Sequence, residues 1–119
     1  MKLQDCYDRF GGDYQDAVSR MMNDSLIEKF MLKFPNDKTM EQLKEAVAAD
    51  NTEDTFRAAH TLKGIAGNLS FTRLESAASK LTEQLRGKTD ETPDPTLVAQ
   101  TESEYDLVIN AINDYIAEK

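Results

Sequence analysis

His60 is the only histidine in the chain, and the residues spaced around it are those from which chemistry could be built. On a helix advancing by about 100° per residue, Phe56, Arg57, Lys63 and Gly64 fall within one turn of His60 on its own side, and Gly67 lies almost two turns along on the same line. With an ordinary pKa of about 6.5, an imidazole keeps a neutral, nucleophilic nitrogen near neutral pH. Its phosphoramidate is labile enough to pass a phosphoryl group on, whereas a serine or threonine ester holds it too firmly. A phosphorylated ring carries roughly two negative charges, so the ammonium of Lys63 and the guanidinium of Arg57 would stabilise it and draw in an acidic partner surface.

The glycines add to this. Gly64 and Gly67 each weaken a helix interior by roughly 1 kcal/mol relative to alanine, and neither stands where a left-handed cap would account for it. Their absent side chains would open the imidazole to another protein. Close helix packing is the alternative, but the helical wheel points both glycines away from the apolar stripe. A local rule broken twice around one residue marks a site. Phe56, apolar on the polar side, and Arg57 beside it are candidate docking contacts.

The rest of the chain supplies no second catalytic group. A single cysteine, Cys6, excludes an internal disulfide and, with one histidine, a zinc site. There is no G-x-x-x-x-G-K-[ST] nucleotide loop and no nucleophilic triad, and the acidic run Asp50, Glu53, Asp54 lacks the glycine and final glutamate of a calcium loop. His60 is therefore expected to be a substrate for a partner's chemistry, in a protein that is not an enzyme and has no cofactor or metal of its own.

The elements that position these residues are all helical. The motif helix is expected over about 53–69, capped by Thr52, with Thr55, Ala58, Ala59, Leu62, Ile65, Ala66 and Leu69 on the face opposite His60. A second helix over about 72–86, with Leu74, Ala77, Ala78, Leu81 and Leu85 inward and Gly87 as its stop, should fold back on the first. Upstream, short helices are expected from Leu3 to Phe10 and, capped by Asp13, to about Met22. Ser25-x-x-Glu28 and Thr39-x-x-Gln42 suggest capping boxes for two further helices. Residues 88–95 read as a loop with nothing to bury. A final helix follows, with Leu97, Tyr105, Val108, Ile109, Ile112 and Ile116 on one face that needs burial against the bundle or a second chain. With no strand signal, the expected fold is all-α: an up-and-down antiparallel four-helix bundle with additional short N-terminal helices.

At 119 residues the chain suits one domain, 1–119. Acidic residues exceed basic ones by 22 to 14, a net charge of −8 that offers no cationic footprint for nucleic acid. No stretch is apolar enough for a signal peptide or a membrane span, and a reduced, cytoplasmic setting is expected.

The stretch from Ala58 to Leu69 resembles the signature of histidine-containing phosphotransfer (HPt) domains, in which A-H-x-L-K-G-x-A-x-x-L surrounds the phosphorylated histidine. The likeness extends more loosely from about Phe10 to Arg86. It implies a four-helix bundle with His60 exposed in mid-helix, accepting phosphate from the aspartate of a response-regulator receiver domain and delivering it to another. The Mg²⁺ and the catalytic aspartate belong to that partner. It also implies that Lys63 supports the phosphoryl group, that Gly64 clears its approach, and that a Gln or Arg on the next helix, Gln84 or Arg86 here, orients the ring or phosphate. Ser70 departs from the family, which usually has glycine there. Beginning at Met1 with no kinase or receiver segment, the chain suggests a stand-alone carrier serving receivers or a hybrid sensor kinase. A fragment of a hybrid or chemotaxis-type kinase, and a receiver-docking protein without phosphotransfer, are the alternatives. Oligomeric state is left open.

Overall fold

A computed structural model describes residues 1–118, and the described residues form helices without any strand. In chain order these are α1 (Leu3–Arg9), α2 (Tyr14–Met21), α3 (Asp24–Lys33), a 3₁₀ turn (Phe34–Asn36), α4 (Thr39–Ala48), α5 (Thr52–Asn68), α6 (Thr72–Leu85) and α7 (Pro95–Ala117). The periodic apolar runs set these lengths, and the expected boundaries hold to within a residue or two.

Three caps differ from expectation. Asn23, not Ser25, caps α3 by accepting from the Leu26 amide at 2.9 Å. Before α4, Asp37 Oδ1 accepts from the Thr39 amide at 2.8 Å, so Thr39 is already helical. Asn51 caps α5 by accepting from the Asp54 amide at 3.0 Å, which releases Thr52 for another task. Asparagine and aspartate accept at least as well as serine or threonine at a helix start, and here they lie one or two residues further upstream. Asp13 caps α2 as its position suggested, through the Asp16 amide at 3.0 Å.

Helix α5 packs on α4 and α6, α6 on α7, and α7 on α1. The short connection between α5 and α6 makes them antiparallel neighbours. On α5 the inward residues Thr55, Ala58, Ala59, Leu62, Ala66 and Leu69 are buried and Ile65 is half-buried, while all five inward residues of α6 are buried. The final helix buries Val108, Ala111, Ile112 and Tyr115 and leaves Ile116 at 46% exposure, so Tyr115 takes the place foreseen for Ile116.

The α5–α6 turn is clamped by the N-terminal helices. Tyr7 donates its hydroxyl to the Leu69 carbonyl at 2.8 Å, and the Asp13 amide donates to the Ser70 carbonyl at 2.9 Å. Phe71 is fully buried among Tyr7, Phe10 and Phe34, with ring centroids at 5.7, 4.8 and 5.2 Å. Ser70 itself adopts a left-handed φ of 59°, the conformation for which glycine is best suited, and its hydroxyl donates to Asp16 at 2.7 Å. Serine thus makes the turn with a side-chain bond that glycine would lack.

The segment 88–94 is not idle. Thr52 Oγ1 donates to the Glu91 carbonyl at 2.8 Å and accepts from the Glu91 amide at 3.1 Å. Gln84 donates to the Thr92 carbonyl at 3.0 Å and accepts from the Asp94 amide at 2.8 Å, and Pro93 is buried. The expectation of a loop with nothing to bury is corrected: a proline and two side-chain latches hold it against the ends of α5 and α6.

Candidate functional site

His60 projects from the middle of α5 and is exposed, and among the described residues its ring takes part in no hydrogen bond. What holds the ring is Phe56, one turn earlier, whose plane lies at 9° to the imidazole with centroids 5.8 Å apart. A stack of this kind on an exposed surface biases the ring without locking it. Both nitrogens are left for chemistry.

The flank of His60 toward α6 is furnished with charge. The Arg86 guanidinium lies 5.4 Å from the Phe56 centroid, and Arg86 grips Glu83 through both carboxylate oxygens at 3.0–3.2 Å. Hydrogen bonds from Arg86 hold the Glu83 carboxyl below the usual carboxylate range, and the charges of Arg86, Lys63 and His60 act in the same direction. Glu83 therefore belongs to the surroundings of His60, although nothing in the sequence singled it out. Lys63, half-buried on the same flank, enters no ion pair among the described residues.

The other flank is open. A side chain built on Gly64 would meet nothing within 4 Å. Arg57 faces this way but is paired with Asp54 at 3.2 Å, so it does not add a free cation beside the ring. Within the turn and a half after Gly64, Ile65, Asn68 and Leu69 border a mainly apolar groove of about 380 Å³ shared with Phe30, Phe34 and Met21, with Lys33 and Asp37 on its edge. Phe30 and Leu26 are 41% and 39% exposed while Ile27 and Met31 are fully buried, so the apolar residues of α3 are divided between core and surface.

The geometry also places two further residues of the expected site. At Gly67 an added Cβ would stand 2.6 Å from Glu75 Oε2, so the carboxylate of an α6 side chain lies over this glycine, unlike Gly64. Gln84 spends both ends of its amide on residues 92 and 94, leaving Arg86 as the residue of that pair beside the Phe56–His60 stack. No group of three or more His, Cys, Asp or Glu side chains that could hold a metal ion occurs among the described residues.

An exposed, unbonded imidazole in mid-helix, a lysine one turn on and an empty space at the next glycine follow the motif read in the sequence. The family model of the Hpt domain matches residues 28–114, well over half of the chain. The protein belongs to the Hpt domain family. No curated protein and no solved structure matches it. The match starts within α3 and runs nearly to the end of α7, so it reaches further toward the C-terminus than the likeness seen from Phe10 to Arg86, and it leaves α1 and α2 outside. Hpt domains serve histidine phosphotransfer in phosphorelays, as carriers and not as catalysts, and interact there with receiver domains and histidine kinases. No helix among the described residues is long and apolar enough to cross a membrane.

Proposed function

We propose that this Hpt protein accepts a phosphoryl group on His60 from a receiver-domain aspartate and passes it to the aspartate of another receiver. The observation that carries the reading is the exposure of His60 with no hydrogen bond to its ring among the described residues, next to the open surface at Gly64. Lys63 supports the phosphoryl group by charge, and Gly64 lets the partner's active site close over the ring. The mainly apolar groove along Phe30, Ile65 and Leu69 offers a contact area beside it, and Phe56 steadies the imidazole more than it docks a partner. In transfer, the lone pair of the unprotonated ring nitrogen forms the N–P bond as the O–P bond of the aspartyl phosphate breaks. The electron pair of that bond stays with the carboxylate. The ring's other nitrogen keeps its proton or gives it to water. Delivery is the same step reversed onto the second aspartate. A cytoplasmic setting and a single domain over 1–119 are part of this reading.

The test is incubation with a phosphorylated receiver domain and intact-mass detection. A gain of one phosphoryl group, acid-labile and missing in His60→Gln, is expected. Absence of transfer across a panel of receivers from the same cell would falsify the carrier reading and leave a docking protein without phosphotransfer.

A further inference from the structure

Beside His60 stands an acidic group for which a phosphate-accepting site has no evident use. Glu83 binds Arg86 through both oxygens at 3.0–3.2 Å, and Arg86 in turn lies over the ring on which the imidazole is stacked. The Lys63 and His60 charges are felt at its carboxylate, the hydrogen bonds from Arg86 being the largest influence on it. A phosphoryl group placed on His60 meets a like charge whose counter-ions are the very cations it needs.

Resting on the reading of His60 as the acceptor, we propose that Glu83 is a positioning residue that sets how firmly His60 holds the phosphoryl group. By keeping Arg86 engaged and offsetting Lys63, it leaves phospho-His60 understabilised, so the equilibrium runs toward the receiver aspartate. The bonds exchanged are those already described, N–P for O–P, and Glu83 takes no part in them; it acts on the charge balance of the two end states. The pair is half-exposed on both sides, at 49% and 55%, which limits the effect to that of a surface ion pair.

The test uses the whole chain and one receiver domain charged with phosphoramidate in a Mg²⁺ buffer. The ratio of phospho-His60 to phospho-receiver is read at the plateau for wild type, Glu83→Gln and Arg86→Gln. A docking defect slows the approach to the plateau in both directions and leaves the ratio unchanged, and circular dichroism matched to wild type rules out a loss of folded acceptor, so a purely structural role does not move the ratio. Glu83→Gln is expected to raise the ratio roughly twofold to fivefold, a span set by the worth of an exposed ion pair. Arg86→Gln is expected to lower it. An unchanged or lower ratio in Glu83→Gln, or a higher one in Arg86→Gln, overturns the proposal. If wild type shows no phospho-His60 at all, the acceptor reading itself has failed, and that outcome is distinct from equal ratios in labelled proteins.

Discussion

The α5–α6 turn and the middle of α5 lie on the same hairpin and are built on opposite terms. At the turn, polar groups are partnered from a distance: Tyr7 on the Leu69 carbonyl, Asp13 on the Ser70 carbonyl, Asp16 on the Ser70 hydroxyl, with Phe71 sealed beneath them. Further back along α5, the His60 ring takes part in no hydrogen bond among the described residues and Gly64 faces empty space. Residues that fix the hairpin are thus separated from residues that can react. A rigid scaffold beneath an exposed group is what a carrier needs, since the partner brings the catalytic parts and must find the imidazole where it expects it.

The strongest way to break that contrast is to exchange the two regions' sensitivities. Phe71→Ala removes a fully buried ring in contact with three other aromatics, and by analogy with other buried aromatics should lower stability by about 3–5 kcal/mol. His60→Gln changes an exposed side chain that is not hydrogen-bonded and should stay within about 0.5 kcal/mol of wild type. Urea denaturation of the two variants checks both. A large loss in His60→Gln would mean that the imidazole is structural and that the division described here is false.

A smaller effect is expected at the open flank. Gly64→Gln places a long side chain over the surface next to the ring, with room to stand there because nothing lies within 4 Å of the added Cβ. It should leave the helix intact or better formed while slowing transfer from a receiver at least about tenfold, equivalent to about 1.4 kcal/mol of lost docking or alignment. Circular dichroism and a transfer time course separate the two. Transfer at the wild-type rate would show that the partner does not approach over Gly64.

How much of this was legible in the sequence differs with range. The apolar faces of α5 and α6, the stop at Gly87 and the place of His60 opposite the core all follow from a period of about 3.6 residues, which acts within a few turns. Gly87 indeed has a left-handed φ of 72°. Thr52 and Ser25 resembled caps because their hydroxyls are competent acceptors, and only the backbone shows that Asn51 and Asn23 come first. Contacts across long separations left no local trace: the Thr52–Glu91 latch joins residues 39 apart, and the nearness of Glu83 to His60 depends on how α6 is rotated against α5. Gln84 was a candidate for the ring by its distance along the hairpin; the same rotation turns it to the loop instead. The family match covers the helices from within α3 onward, α5 and α6 among them.

The finest test compares the two glycines with each other. Both sit in the interior of α5, where alanine is favoured over glycine by about 1 kcal/mol on backbone grounds alone. At Gly64 nothing opposes that gain, so Gly64→Ala should stabilise the protein by about 0.5–1 kcal/mol. At Gly67 the new methyl group would stand 2.6 Å from Glu75 Oε2 and 3.3 Å from its Cδ, and the glutamate must move. Its carboxylate is the far end of a flexible side chain, so the move costs part of the gain rather than all of it, and Gly67→Ala should stabilise less than Gly64→Ala. Parallel urea titrations of the two variants measure the difference. Equal gains would mean that Glu75 yields freely and that Gly67 is as open as Gly64; a smaller gain at Gly67 would show that one glycine serves the packing of α5 on α6 and the other was left bare for a different reason.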